Sequence, residues 1–308
     1  MTPLKKGVIG KLLADPYKME PRVIDTEGAV LRVEHGDRAW LDNERVAVVS
    51  SWSPTVQMSR SLSEFLFALS DAAYVPFVVS TTEVNGPLQW PHGLPDNAVV
   101  ARRPNIGYDF GSYAAALNAA PVLRNIDHLL LTNDSMVGPF APIRELLAQA
   151  EASTADICSL TDSYQYVHHP QSFFLMFRKG VLAEPAMRRF FDEVRQQSEK
   201  VVVIQAYELG LSRHCAHEGY CWEALISSER AGAGLDNPTL WGWKTILDAG
   251  APFVKRNILL DDTLTEHTVD IPTEILQRYG EDVRDWLPVG YELPELLETE
   301  MEHSHGPA

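Results

Sequence analysis

The chain has 308 residues, 45% hydrophobic and 22% charged, the composition of an ordinary globular protein, which excludes disordered and fibrous classes for its bulk. Its net charge of −16 argues against nucleic acid as a partner, because that binding relies on Lys and Arg displacing phosphate counterions. No run approaches the roughly 18 apolar residues of a membrane span, and the start lacks a secretory apolar core, so the expected compartment is the cytoplasm.

Residues 1–44 read as an N-terminal appendage. Within it, apolar and polar residues alternate from Gly28 to Leu41 around Gly36-Asp37, the pattern of a β-hairpin. The β-branched runs VAVVS (46–50) and FVVS (77–80) predict strands. Between them, Ser61 and Glu64 have capping-box spacing while Leu62, Phe65, Leu66 and Leu69 share one face, which predicts a helix. The alternation continues through an apolar stretch at 99–101, a helix-like stretch at 113–118 and LLL at 129–131. Successive β/α units of this kind predict an α/β fold with a Rossmann-type open sheet.

A helix is expected from Pro142 through IRELLAQA, strands at 157–160, 173–177 and 201–204, and a helix over 184–197, so the sheet should end mixed. The main domain is expected over 45–265, followed at 266–308 by a helical segment and a disordered, acidic, His-containing tail.

Ligands of such sheets bind beyond the carboxyl ends of the strands. Ser51-Trp52-Ser53, Thr81-Thr82, the stretch 102–107 and Asn133-Asp134-Ser135 should therefore border one crevice. Asn105, Gly107, Asp109 and Gly111 form N-x-G-x-D-x-G, in which glycines let backbone approach a phosphate or sugar and a helix start supplies free N–H groups. The same pattern also fits a plain turn with Asp109 as a helix cap. Asp134 reads either as an Asx-type turn residue or as a carboxylate for a hard cation. Glu208, after an apolar run, reads as a general base or as a first-turn acid of the next helix. Arg102 and Arg103 are the best candidates for a local anion pocket.

Cys158, Cys215 and Cys221 make an odd count in a chain too large to need disulfide staples, which favours reduced thiols. His214, Cys215, His217 and Cys221 lack the paired spacing of a zinc site, and no hydrolase motif is present.

The stretches RRPNIGYDFGSYAAAL, LLLTNDSMVGPF, HHPQSFFLMFRKGVL, VIQAYELGLS and NPTLWGWKTILDAGAPFVKRNIL together resemble the rhamnan synthesis protein F family, over residues 45–260. The resemblance implies a glycosyltransferase A-like fold and transfer of a sugar from a nucleotide-sugar donor, dTDP-L-rhamnose, to a growing glycan. A lipid-linked acceptor would place the protein peripherally at the inner face of the cell membrane; nothing in the sequence sets an oligomeric state.

By the same resemblance, Asp134 stands where such enzymes carry D-x-D, which holds Mg²⁺ or Mn²⁺ and the diphosphate. The second acid is absent here, which leaves metal dependence open. Ser51, Arg103, Asn105, Gly107, Asp109, Gly111, Asn133 and Ser135 would line the donor, and His169, Gln171 and Ser172 the acceptor or donor sugar. Glu208 would deprotonate the acceptor hydroxyl in an inverting displacement, and Lys255 with Arg256 would stabilise the departing diphosphate. Trp241 and Trp243 could stack on a sugar or pack in a core. The class-distinct alternative is a non-catalytic module that binds a nucleotide sugar or glycan, and another donor sugar is a further reading.

Overall fold

The computed structural model describes residues 20–298 apart from 198, 262, 265–267 and 296. The expectations for residues 1–19 and for the end of the acidic tail lie outside the described residues.

The chain enters the sheet with β1 (Arg32–His35) and then runs β2 (Arg45–Ser51), α1 (Arg60–Asp71), β3 (Val75–Ser80), β4 (Val99–Arg102) and α2 (Tyr108–Ala119). It continues through β5 (His128–Asn133), β6 (Met136–Val137), α3 (Arg144–Ala152), β7 (Ile157–Ser163), β8 (His169–Pro170), β9 (Phe174–Arg178) and α4 (Pro185–Asp192). Helix α5 (Lys200–Val203) passes through a π-helical turn, Ile204–Glu208, into α6 (Leu209–Glu218), which leads to β10 (Trp222–Ile226). Short helices α7 (Pro238–Trp241) and α8 (Trp243–Asp248), strand β11 (Val254–Lys255), α9 (Arg256–Leu260) and α10 (Ile271–Tyr279) follow.

The main sheet has the order β1-β4-β3-β2-β5-β9-β7-β10, with β8 pairing off β7. Strands β4, β3, β2 and β5 are parallel neighbours, whereas β1 and β9 run antiparallel to theirs. The mixed α/β class with a mostly parallel sheet flanked by helices is as expected. Parallel strands covered on both faces read as continuous apolar runs, which is why VAVV and LLL were legible. Alternate residues then divide between layers: Val46, Val48, Leu129 and Leu131 pack with α2 and α4, while Ala47, Val49 and Leu130 pack with α1 and α3.

Several expectations are overturned. No hairpin forms at 28–41: β1 pairs with β4, and the residues after it wind into a 3₁₀ turn, Arg38–Leu41, capped by Asp37. Gly36, at φ +78°, lies so close to the carbonyl of Ala98 that a Cβ would stand 2.4 Å from it, so the turn serves docking on the sheet edge. The cap of α1 is Ser59, whose Oγ accepts the Leu62 N–H at 3.1 Å; Ser61 instead donates to the Gly138 carbonyl at 2.9 Å.

The stretch 201–204 is helical rather than a strand. Its β-branched residues favour a strand locally, but Val203, Tyr207, Leu211 and Cys215 recur every four residues and are all buried in one core layer, so helical packing overrides propensity.

The chain beyond β10 builds a third apolar cluster, in which Trp243, Ile258, Ile275 and Trp286 meet Val137 and Phe140 from the segment after β5. The Arg60 guanidinium lies 4.4 Å from the Trp286 ring centroid and pairs with Glu281 at 2.9 Å, fastening this segment to α1. Among the described residues no helix is long and apolar enough to cross a membrane.

Candidate active site

After β2 the chain builds outward through β3 to β4, then returns to lay β5 on the other side of β2. The carboxyl ends of β2 and β5 therefore form a topological switch point, where open α/β sheets leave a crevice. Trp52 follows β2 there, half-exposed, while Asn133 ends β5 and Asp134 follows it.

The two adjacent residues do different work. Asn133 Oδ1 accepts the Ser135 N–H at 3.1 Å, so Asn133 makes the Asx turn, and its Nδ2 donates to Asp109 Oδ2 at 2.7 Å. Asp134 Oδ2 instead accepts the main-chain N–H of Trp52 at 3.0 Å, while its own N–H donates to the Ser50 carbonyl at 3.1 Å. Its Oδ1 lies 3.6 Å from the Arg256 guanidinium. Behind it stands a pocket walled by Leu62, Phe65, Phe173, Phe174 and Phe253. Burial against this apolar backing raises the Asp134 carboxyl above its ordinary range, opposed by Arg256 and by the N–H groups it accepts.

Asp109 stands in the first turn of α2, which begins at Tyr108 after the left-handed Gly107. Burial, and next the charge of Asp134, push its carboxyl up to about 6. Lys200, at the start of α5, is near enough for its charge to act on Asp109, Asp134 and Lys255. Lys255 arrives by the β6–β11 ladder, which pairs it with Met136, and the next residue, Arg256, donates its N–H to the Ser135 carbonyl at 2.9 Å. Burial lowers the Lys255 ammonium, while the charges of Glu208 and Asp109 oppose that.

Glu208 closes the π-helical turn, not a strand-to-helix junction. One extra residue per turn re-aims a helix face, a device frequent at functional sites. Its Oε1 accepts the Ser172 N–H at 3.1 Å, and its charge reaches Asp109, Lys255 and the buried Tyr113. Asp109, Asp134, Glu208, Lys200, Lys255 and Arg256 thus form one mixed-charge cluster at the carboxyl edge of the sheet.

Other expected residues have structural employment. Arg103 is buried, with Nε donating to the Gly28 carbonyl at 2.6 Å, one Nη to Ser112 Oγ at 3.1 Å and the other to the Ile106 carbonyl. It clamps the N-terminal segment to the N-x-G-x-D-x-G loop rather than facing the crevice. Arg102 is likewise engaged, with Glu34 at 3.2 Å and the Val84 and Gly86 carbonyls.

Gly107 and Gly111 allow close packing: a Cβ on Gly107 would stand 2.8 Å from Val23, and one on Gly111 2.2 Å from the Ile106 carbonyl. Asn105 is exposed. Trp243 belongs to the third core cluster, whereas Trp241 is half-exposed. His169 is buried and bonds the Val167 carbonyl through Nδ1 at 2.7 Å. Gln171 links Thr161 and Asn237, so of HPQS it is the Ser172 main chain that touches Glu208. Ser51 is buried at the end of β2, and its Oγ has no hydrogen-bond partner among the described residues.

Lys200 was absent from the expected site residues: it has no motif around it and reaches the cluster only because 200–208 is helical. Trp52 was expected at the crevice from its strand-end position, but the bond from its main-chain N–H to Asp134 was not.

The His214, Cys215, His217 and Cys221 stretch lies on and after α6, where His214 packs on Phe190 and burial pushes the Cys215 thiol up to about 12. No group of three or more His, Cys, Asp or Glu among the described residues is arranged to hold a metal ion.

Residues 89–283 match the family described as rhamnan synthesis protein F. The chain belongs to that family. The match takes in Asp109, Asp134, Glu208 and Lys255 and ends inside the third core cluster; it does not include β2 or Trp52. The name of the rhamnan synthesis protein F family ties it to the synthesis of a polysaccharide.

Among curated proteins, "Virulence protein VirA" of Vibrio anguillarum is 26% identical over 196 residues, covering 53% of this chain and 63% of that protein. "Uncharacterized protein y4gN" of Sinorhizobium fredii is 25% identical over 156 residues, 49% of this chain and 40% of that protein. The chain thus spans less than two thirds of either relative.

Proposed function

We propose that the protein is an inverting glycosyltransferase with a glycosyltransferase A-like fold, moving L-rhamnose from dTDP-L-rhamnose to a growing surface glycan at the inner face of the membrane. The observation that carries the reading is Asp134 bridging the ends of β2 and β5 at the switch point, within one cluster with Glu208 and three cations.

In this reading Glu208 takes the proton of the acceptor hydroxyl as that oxygen attacks the anomeric carbon, and the bond to the diphosphate breaks on the opposite face. Lys255, Lys200 and Arg256 offset the charge that grows on the departing diphosphate. Asp134 holds Arg256 in place and orients a donor hydroxyl, with Asp109 and Asn133 beside it.

A divalent cation is a poor fit to the donor set. Asp134 has one oxygen committed to a backbone N–H and the other beside a guanidinium, and the amide of Asn133 is turned to Asp109. In this reading Lys200, Lys255 and Arg256 supply the neutralisation of phosphate charge that Mg²⁺ or Mn²⁺ would otherwise provide.

The test is release of dTDP from dTDP-L-rhamnose by purified protein with a rhamnose-terminated acceptor. Release that requires acceptor supports transfer. Donor binding without release, over several acceptors, would replace the reading with a non-catalytic nucleotide-sugar module.

A further inference from the structure

Outside the cluster just described, the β7–β8 connection carries an aromatic group that the catalytic reading leaves unused. Tyr164 and His168 stack face to face, centroids 4.1 Å apart and planes at 3°, and His168 rests in turn on Trp222 at 4.6 Å. Tyr164 keeps 42% of its surface exposed although one face is covered by His168, so a substantial part of the ring stays available to a ligand. Beside it, Tyr166 is 79% exposed on a left-handed backbone, φ +74°. A bulky residue held there costs conformational energy, which the surrounding structure must offset.

The stack is held from beneath. His168 Nε2 meets Asp162 Oδ2 at 2.8 Å, and the other oxygen of the buried Asp162 accepts the Ser228 N–H at 2.5 Å. The His168 carbonyl accepts the Ser212 hydroxyl at 2.6 Å, and the Gln165 N–H is taken by Ser163 Oγ at 3.1 Å. A platform locked in this way loses little freedom on binding, and that preorganisation favours affinity.

Its position is informative as well. Ser212 follows Glu208 by four residues, about 6 Å along a helix axis, and the chain beyond the platform runs directly to Ser172, whose N–H meets Glu208. In the sheet, β9 separates β7 from β5, so the platform lies across Glu208 from the Asp134 side of the crevice. Among the described residues the carboxylate that meets the stack is that of Asp162, which disfavours a phosphate and suits a neutral ring. The C–H face of a pyranose matches an open aromatic face, and a 6-deoxyhexose adds a methyl group to that apolar surface.

We infer that Tyr164, backed by His168 and flanked by Tyr166, is a stacking subsite for a neutral 6-deoxyhexose unit of the glycan acceptor. The inference rests on the transferase reading for the identity of the acceptor, and its test separates the two.

Calorimetric titration of the full chain with a trisaccharide of α-linked L-rhamnose should show binding that Tyr164→Ala weakens about tenfold, equivalent to about 1.4 kcal/mol. Tyr164→Phe, which retains the ring, should stay within about twofold of the wild type. Saturation-transfer NMR should place the strongest signals on ring C–H and methyl protons of the sugar. Parallel titration with dTDP-L-rhamnose reports on the donor side and should be unchanged by Tyr164→Ala. Equal trisaccharide affinity for wild type and a folded Tyr164→Ala, or no trisaccharide binding by the wild type, overturns the subsite. Retained donor binding in either case leaves the transferase reading standing, and loss of donor binding by the wild type strikes that reading alone.

Discussion

The main-chain N–H of Trp52 donates to Asp134 Oδ2 across 3.0 Å, joining residues 82 positions apart at the ends of two adjacent parallel strands. Asp134→Asn keeps a carbonyl oxygen for that bond but loses the charge that draws Arg256. Donor affinity should fall at least about tenfold, a loss of about 1.4 kcal/mol, with folding little changed. Asp134→Ala should add a stability loss of about 0.5–1.5 kcal/mol, the usual net worth of one hydrogen bond, because the half-exposed Trp52 N–H loses its acceptor to water. Donor titration and urea unfolding check the pair, and unchanged donor affinity in Asp134→Asn removes Asp134 from the site.

Glu208→Gln should lower transfer by roughly 10²–10⁴-fold, the usual contribution of a positioned base. The amide oxygen can still accept from Ser172, so donor affinity and thermal midpoint should hold near wild type. Full activity in this variant would falsify the assignment of Glu208 as base.

Asp109 links the site to pH. Its folded-state value of about 6 lies above the ordinary 3.8, so between those values the folded chain binds more protons than the unfolded one. Stability from this group is therefore greatest below about pH 4 and is lost as pH rises through about 6. Asp109→Asn should be more stable than wild type at pH 7 by about 1–3 kcal/mol and indistinguishable from it near pH 3. Denaturant melts at the two pH values decide this, and equal stability of the two proteins at pH 7 contradicts the burial of that charge.

If Lys200, Lys255 and Arg256 neutralise the diphosphate, turnover should survive excess EDTA. Lys255→Ala should then raise KM for the donor by roughly tenfold or more, and because burial shields this ammonium from counterions the loss should change little with salt. Abolition of turnover by EDTA, with recovery on adding Mg²⁺, would assign the role to a metal instead.

Arg103→Ala should cost roughly 2–4 kcal/mol, since it strands the Gly28 and Ile106 carbonyls and Ser112 in a buried setting. Lys at this position cannot reproduce the forked donors and should not rescue it. Gly111→Ala should be comparably damaging, given the 2.2 Å approach of a Cβ to the Ile106 carbonyl. Thermal denaturation of both variants tests the clamp, and a midpoint within a degree of wild type would show that the loop does not depend on it.

Much of the parallel sheet was readable because VAVVS, FVVS and LLL are buried on both faces and must be apolar along their length. The run at 201–204 misled for a related reason: four β-branched residues look alike in a strand and in a helix, and only the later recurrence at Tyr207, Leu211 and Cys215 shows the period of four. Trp243 and Trp241 are two residues apart in the same short segment, and nothing local says which one the third core claims. Arg103 resembled an anion-binding residue because a buried guanidinium and an exposed one have the same letter; its acceptors are carbonyls, which leave no trace in a sequence.

The amino-acid order alone determined which stretches become central strands and that Asn133, Asp134 and Ser135 fall at a strand end, since apolar patterning and turn chemistry act over a few residues. Tertiary structure decided that Asn133 makes the turn while Asp134 reaches across to β2, and that Glu208, Lys200 and Lys255 share its surroundings. Those outcomes depend on the order of strands in the sheet, on a π-helical turn and on a two-residue ladder between β6 and β11, which bring together groups far apart in the chain. Burial then sets the protonation of Asp109 and Asp134, and burial belongs to the assembled fold rather than to any short segment of it.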